Sequence, residues 1–242
     1  MSTHVIIQMS ERASTMDVRE VSVLLRGEPE PINRWIRTAS APRTALYVAV
    51  IVAGTGIYGA AMGCWRQPLQ GLYTAIKFPL IVLLTTLGNG LLNAMLAPLL
   101  GLNIGFRQSL QAVLMSFTVA AAILGSFSPL LYFLVWNAPP LAAHVSGVYP
   151  IIRLTNVAVI AFAGTVGCAR LGQLLGRLSD NPAVGRRVLF AWLTVNFLLG
   201  SQLSWILRPF FGSPDLPVEF LRANAFQGNF FENLLQALQQ LF

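Results

Sequence analysis

Charge is what this chain has least of. Asp, Glu, Lys and Arg together make up 10% of its 242 residues, while hydrophobic residues make up 55%; soluble domains carry roughly a quarter charged residues. A water-soluble fold of this size needs a polar shell around its core, and residues 44–208 have little to supply one. Cysteine and histidine are scarce as well. Cys64 and Cys168 lie at the ends of separate apolar runs, and His4 and His144 are far apart. That spacing fits neither a disulfide framework nor a metal signature, so no metal or cofactor is expected. All nine acidic residues lie outside the apolar runs, which argues against a proton relay or cation carrier built on an intramembrane carboxylate. Neither histidine has a nucleophile motif near it, and Gly200-Ser201-Gln202 has none of the context of a serine hydrolase. The chain is expected not to be an enzyme.

What is abundant is long, nearly uncharged stretches. Runs at 44–63, 72–100, 110–136, 150–171 and 188–207 are each long enough to cross a hydrocarbon core of about 30 Å, which takes roughly 20 helical residues. The expected fold class is therefore all-α, a polytopic integral membrane helix bundle of about five transmembrane helices. Three regions follow: an amino-terminal tail at 1–43, the bundle at 44–208, and an extramembrane tail at 209–242. No cleavable signal peptide is visible in the mixed-charge first 43 residues, so the first span should double as the insertion signal. Residues 18–26 suit one short helix or strand, and residues 32–37, with Trp35 and Ile36 beside Arg34 and Arg37, suit either a short interfacial segment or a plain tail. The long second and third runs leave room for a further half-span or re-entrant piece, and the third should tilt or bend near residues 125–129.

Eleven of the sixteen basic residues fall beside one set of span ends: six arginines in the tail, then Arg107, Arg170, Arg177, Arg186 and Arg187. The positive-inside rule places that set in the cytoplasm, and the expected location is a bacterial inner membrane with a cytoplasmic amino terminus. The net charge of +7 is spread between apolar runs rather than gathered in a patch, so no nucleic-acid partner is expected.

Gly54-Thr55-Gly56-Ile57-Tyr58-Gly59 matches a dinucleotide fingerprint letter for letter, but it lies inside an apolar span with no strand before it. Gly56, Gly59 and Gly63 instead suit close helix packing, with a neighbour in the same chain or in another. Thr85, Asn89 and Asn93 recur every fourth residue and form a polar stripe. Hydrogen bonding to Asn156, Asn196 or Ser116 would satisfy the stripe; a hydrated path is the sharper alternative. Arg153, Trp192, Trp205 and Arg208 are expected at the interface with lipid, with Arg208 snorkelling to phosphate or pairing with Asp215 or Glu219. Phe230, Leu234, Leu238 and Leu241 share one face of an amphipathic carboxyl-terminal helix that packs on the bundle, the bilayer surface or a partner.

The link Leu99-Leu100-Gly101-Leu102-Asn103-Ile104-Gly105-Phe106-Arg107-Gln108-Ser109-Leu110, together with the order of hydropathy over 44–208, resembles bacterial members of the Yip1-like group of small multi-pass proteins. That resemblance implies a cytoplasmic amino-terminal region, five membrane helices and a trafficking or scaffold role, and it carries over no catalytic residue. The tail after Arg208 departs from the group's compact ending. The functional expectation is a non-enzymatic membrane scaffold or accessory subunit whose partners are membrane lipid and other membrane subunits or copies of itself. The alternative is a channel, transporter component or pore-forming effector that uses the polar face of the second span.

Overall fold

The computed structural model describes residues 17–38, 40–139, 148–179, 181–212 and 216–239, and the statements below refer to these. Its regular elements are eight helices: α1 (Arg19–Arg26), α2 (Pro29–Arg37), α3 (Ala41–Cys64), α4 (Pro68–Leu99), α5 (Phe106–Asn137), α6 (Val148–Leu178), α7 (Pro182–Ile206) and α8 (Phe230–Gln239). Five of them, α3 to α7, contain stretches long and apolar enough to cross a membrane. The chain is an all-α bundle with the make-up of an integral, multi-pass membrane protein.

Local chemistry sets the helix boundaries. A proline stands in the first turn of α2, α3, α4 and α7, where its fixed φ suits the helix and its missing N–H costs nothing. Asn181 caps α7 by accepting from the Ala183 N–H at 2.9 Å. At the far end of α1, Gly27 adopts φ 73°, and the N–H groups of Gly27 and Glu28 turn back to the carbonyls of Leu24 and Val23. Only glycine takes that left-handed conformation without penalty.

α4 and α5 each run unbroken for 32 residues, through Pro79 and Pro98 in one and Pro129 in the other. Each is about 48 Å long, so both must tilt or protrude from a 30 Å core. The re-entrant piece looked for inside these two runs is not there. Irregular chain packed against the bundle occurs instead after α7.

α3 lies at the centre of the bundle, with Tyr47, Ile51, Tyr58 and Ala61 fully buried. α6 and α7 lie nearer the rim and expose Ile151, Leu154, Val157 and Phe162 on the first, and Phe190, Phe197 and Leu198 on the second. Apolar faces of that extent are out of place in water and are what lipid tails contact.

The amino-terminal region is more ordered than a tail. α1 and α2 fold back so that Leu24, Ile32 and Ile36 join a core with Tyr47, Ile51, Leu114, Met115 and Leu174. Arg43 fastens the arrangement. Its Nε donates to both Glu20 carboxylate oxygens, at 3.2 and 3.1 Å, and its guanidinium lies 4.9 Å from the Trp35 ring centre. On the other side Arg170 donates to the Leu25 carbonyl at 2.6 Å, with its guanidinium packed against Gly27. Leu24, Ile32 and Ile36 of this segment are therefore buried in the protein's own core, while Leu25 stays exposed.

Candidate functional site

Two polar constructions lie within the bundle, both on α4. The first is a seam against α7. Asn93 donates to Asn89, and Asn89 donates to Asn196; Asn89 and Asn93 are fully buried. One turn further along, Thr85 Oγ1 lies 3.9 Å from where a Cβ on Gly200 would sit, and a Cβ on Gly88 would come within 3.0 Å of Leu199 Cδ1. These contacts set an antiparallel register in which Thr85 meets Gly200 and Asn89 meets Asn196. The polar stripe thus turns toward a helix rather than toward lipid, as the cost of an exposed amide in hydrocarbon demands. Thr85 Oγ1 and Asn93 Oδ1, at the two ends of the seam, are buried without a hydrogen-bond partner.

Asn156 does not join the seam. Its Oδ1 accepts from the Tyr58 hydroxyl at 2.9 Å, and its Nδ2 donates to the Ile152 carbonyl at 2.9 Å, which ties α6 to α3. Ser116 also goes elsewhere, donating to the Gly167 carbonyl at 2.7 Å between α5 and α6.

The second construction was not foreseen. After Ile206 the chain leaves the helix, and residues 207–212 run irregularly beside α4, while Phe210 and Phe211 pack on the cluster of Tyr58, Met62, Leu124 and Leu131. Irregular backbone buried against a helix is tolerated only if protein groups take its carbonyls. Gln70, Thr74 and Lys77, successive on one face of α4, do so. Gln70 Nε2 donates to the carbonyls of Pro209 and Phe210 at 2.9 and 3.1 Å. Thr74 Oγ1 lies 2.9 Å from the Phe210 carbonyl, and Lys77 Nζ donates to the Pro209 carbonyl at 3.1 Å. All three side chains are fully buried. Lys77, the chain's single lysine, also lies 5.2 Å from the Phe220 ring centre, which in turn stands edge-on to Tyr73. Gln70 and Thr74 carried no weight in the sequence, and Lys77, expected near the entrance of its run to snorkel to the interface, is instead fully buried on the Pro209 carbonyl. The i, i+4, i+7 spacing of a Gln, a Thr and a Lys in an apolar helix was the available signal.

The small-residue face finds its neighbour within this chain. A Cβ on Gly59 would lie 2.6 Å from the Thr74 carbonyl oxygen, one on Gly63 would lie 2.5 Å from that of Gln70, and one on Gly56 would lie 3.3 Å from that of Ala75. The two backbones touch at Gly59 and Gly63, where a side chain has no room, and are close at Gly56. Gly54, part of the same glycine run, faces the other way against the backbone of Ala121 on α5.

The four interfacial candidates separate. Arg153 is exposed on α6. Arg208 stacks 3.6 Å from the Trp205 ring centre and donates to the carbonyls of Trp205 and Asn224 at 2.6 and 3.5 Å; Arg153 is not among its partners. Trp205 Nε1 donates to the Gln227 carbonyl at 3.4 Å. Trp192 is a correction. Instead of facing lipid it is fully buried among Ala97, Ala112, Val113, Leu175 and Val188, because this face of α7 is wedged against α4, α5 and α6. Its Nε1 has no partner there.

α8 begins where Asn229 Oδ1 accepts from the Glu232 N–H at 2.9 Å. The Phe230 N–H reaches Gln202 Oε1 at 3.4 Å, and Phe231 packs edge-on to Phe197 of α7. The side chains of Leu234 and Leu238, like Leu241 and Asp215 altogether, lie outside the described residues. Among the described residues no three His, Cys, Asp or Glu side chains gather in a way that could hold a metal ion.

The chain matches no protein-family model, no curated protein and no solved structure.

Proposed function

We propose that this protein is a non-enzymatic membrane scaffold or accessory subunit of a membrane protein complex, seated in a bacterial inner membrane with α1 and α2 on the cytoplasmic side. The observation that carries the reading is how the intramembrane polar groups are used. Asn89, Asn93 and Asn196 bond to one another, and Tyr58 bonds to Asn156. Groups that a permeation path would need facing water are here engaged in joining helices. The orientation rests on the basic residues: Arg43, Arg107, Arg170, Arg177, Arg186 and Arg187 stand at one set of ends of α3, α5, α6 and α7, the set that the positive-inside rule assigns to the cytoplasm. The Yip1-like resemblance points to the same role.

The rival is a channel, transporter component or pore-forming effector. It is favoured by one observation, the unpartnered Thr85 Oγ1 and Asn93 Oδ1 at either end of the seam. One experiment separates the two. The full chain and an Asn89→Leu/Asn93→Leu variant are reconstituted in liposomes, and ion and solute release is measured. In parallel, cross-linking in native membranes looks for partner subunits. The scaffold reading expects no flux above empty liposomes from either protein, and cross-linked partners. Flux through the wild type that the variant abolishes would hand the assignment to the rival.

A further inference from the structure

We infer that the cleft between α6 and α7, at the end where these two helices are joined, binds the headgroup of an anionic phospholipid, with Arg186 taking the phosphate. The cleft measures about 280 Å³ and is lined by Gly172 and Gly176 of α6 and by Pro182, Gly185, Arg186 and Leu189 of α7. Missing side chains make the room. The two helices meet closely at Gly185, where a Cβ would lie 3.5 Å from the Leu175 carbonyl oxygen and 3.7 Å from Gly176 Cα. They meet again at Gly172, where a Cβ would lie 3.2 Å from Leu189 Cδ2. A Cβ on Gly176, by contrast, would meet nothing within 4 Å, so this glycine opens onto free space. Small-molecule sites run from about 300 to 1,000 Å³, and a cleft near the lower end of that range suits a headgroup rather than a folded partner.

The charge around the cleft has one sign. Neither α6 nor α7 contains an aspartate or a glutamate, and the ion pairs among the described residues join Arg26 to Glu28 and Arg43 to Glu20, not Arg186. Exposed Arg177 and Arg187, the sequence neighbours of Gly176 and Arg186, add to the same positive field. Asn181 already accepts from two N–H groups at the start of α7, that of Ala183 with its side chain at 2.9 Å and that of Gly185 with its carbonyl at 3.1 Å. The cation on the cleft is therefore a side chain, not the end of a helix. Its planar guanidinium can take two phosphate oxygens at once. Position favours lipid over a free anion. α6 and α7 both have the length and apolarity of spans, and residues 179–181 alone join them, so the chain turns where the two spans leave the membrane. Gly172 and Leu189 lie about 10 Å inside the helix ends at 1.5 Å per residue, a depth that crosses the headgroup layer and reaches the hydrocarbon. Pro182, Arg186, Leu189 and half-buried Leu193 follow one another on a single face of α7. That order sets a cation at headgroup level and apolar side chains where the acyl chains begin.

The test uses the full chain in a neutral detergent, supplied with equal amounts of phosphatidylglycerol and phosphatidylcholine, with retained lipid read by native mass spectrometry. The wild type should keep phosphatidylglycerol in preference. Arg186→Gln should cut the retained phosphatidylglycerol about fivefold, the worth of one arginine at a lipid surface. Gly176→Leu should cut it as far by filling the cleft while every charge stays in place. Both positions tolerate the change, since Arg186 is exposed and a Cβ on Gly176 has open surroundings, and melting temperatures verify that each variant is folded. Arg37→Gln removes the same charge from an exposed position on α2 and should change nothing. Asp180→Asn, in the connection and outside the described residues, should keep or raise the binding. The assignment is overturned if the two lipids are retained equally, if either Arg186→Gln or Gly176→Leu keeps phosphatidylglycerol as the wild type does, or if Arg37→Gln loses as much as Arg186→Gln. It also falls if phosphatidylglycerol is held only after Asp180→Asn, or if inorganic phosphate releases the lipid completely, which would make the occupant a free anion.

Discussion

Lys77 Nζ donates a hydrogen bond to the Pro209 carbonyl at 3.1 Å, and that contact joins a buried cation on α4 to the irregular chain that follows α7. Gln70 and Thr74 repeat the device one and two turns away. This end of the bundle is closed by backbone carbonyls that three side chains hold.

Replacing Lys77 by Met keeps the length and apolar stem of the side chain and removes the donor. The Pro209 carbonyl then keeps only its hydrogen bond from Gln70, and losing the charged donor costs about 1.5–3 kcal/mol. The expected result is a lower melting temperature and faster proteolysis within residues 209–229 of the detergent-solubilised chain. Unchanged proteolysis would show that Gln70, Thr74 and the packing of Phe210 and Phe211 hold the segment without Lys77.

The contact between α3 and α4 depends on the absence of side chains. Gly63→Val would drive a branched side chain into the Gln70 carbonyl, and forcing the helices apart should cost several kcal/mol or prevent folding. Gly176→Ala is the control, since a Cβ there meets nothing within 4 Å and alanine is the better helix former by about 1 kcal/mol. The test is the yield of monodisperse protein and its melting temperature. Equal loss in both variants would refute the packing assignment.

The seam between α4 and α7 should show coupling. A double-mutant cycle on Asn89→Leu and Asn196→Leu, followed by unfolding in mixed micelles, should give an interaction energy of about 0.6–2 kcal/mol, the range for interhelical polar pairs in membranes. Strict additivity would mean that the two amides do not meet.

At the amino-terminal end Gly27 turns with φ 73° against the Arg170 guanidinium. Gly27→Ala adds both backbone strain of about 1 kcal/mol and a methyl group in occupied space. α1 should loosen, and trypsin should cut after Arg26 several times faster than in the wild type. Gly105→Ala, with ordinary φ and open surroundings, should leave that rate unchanged.

The pattern of apolar runs made the five long helices legible, because hydrocarbon admits so few alternatives to a helix. Their extent was underestimated, since α6 continues past residue 171 to Leu178 and α4 begins at Pro68. Those added turns carry polar groups such as Gln70 and Arg177 that lie beyond the purely apolar window. Trp192 was misplaced for a related reason. A tryptophan near the start of a hydrophobic run suits an interface by composition, and only the position of α7 between its neighbours buries it. Asn156 looked like a candidate for the seam, yet Tyr58, 98 positions away in the chain, receives it.

By itself the sequence determined that this chain is a helical membrane bundle, because sparse charge and runs of about 20 apolar residues leave the backbone no other way to satisfy its hydrogen bonds in lipid. It also marked which residues on α4 are polar. Tertiary structure alone decided which helix each one meets. A side chain's periodicity fixes the face it occupies, but the partner across that face is set by how the helices pack. That packing is why Lys77, isolated in an apolar run, ends against the Pro209 carbonyl and the Phe220 ring.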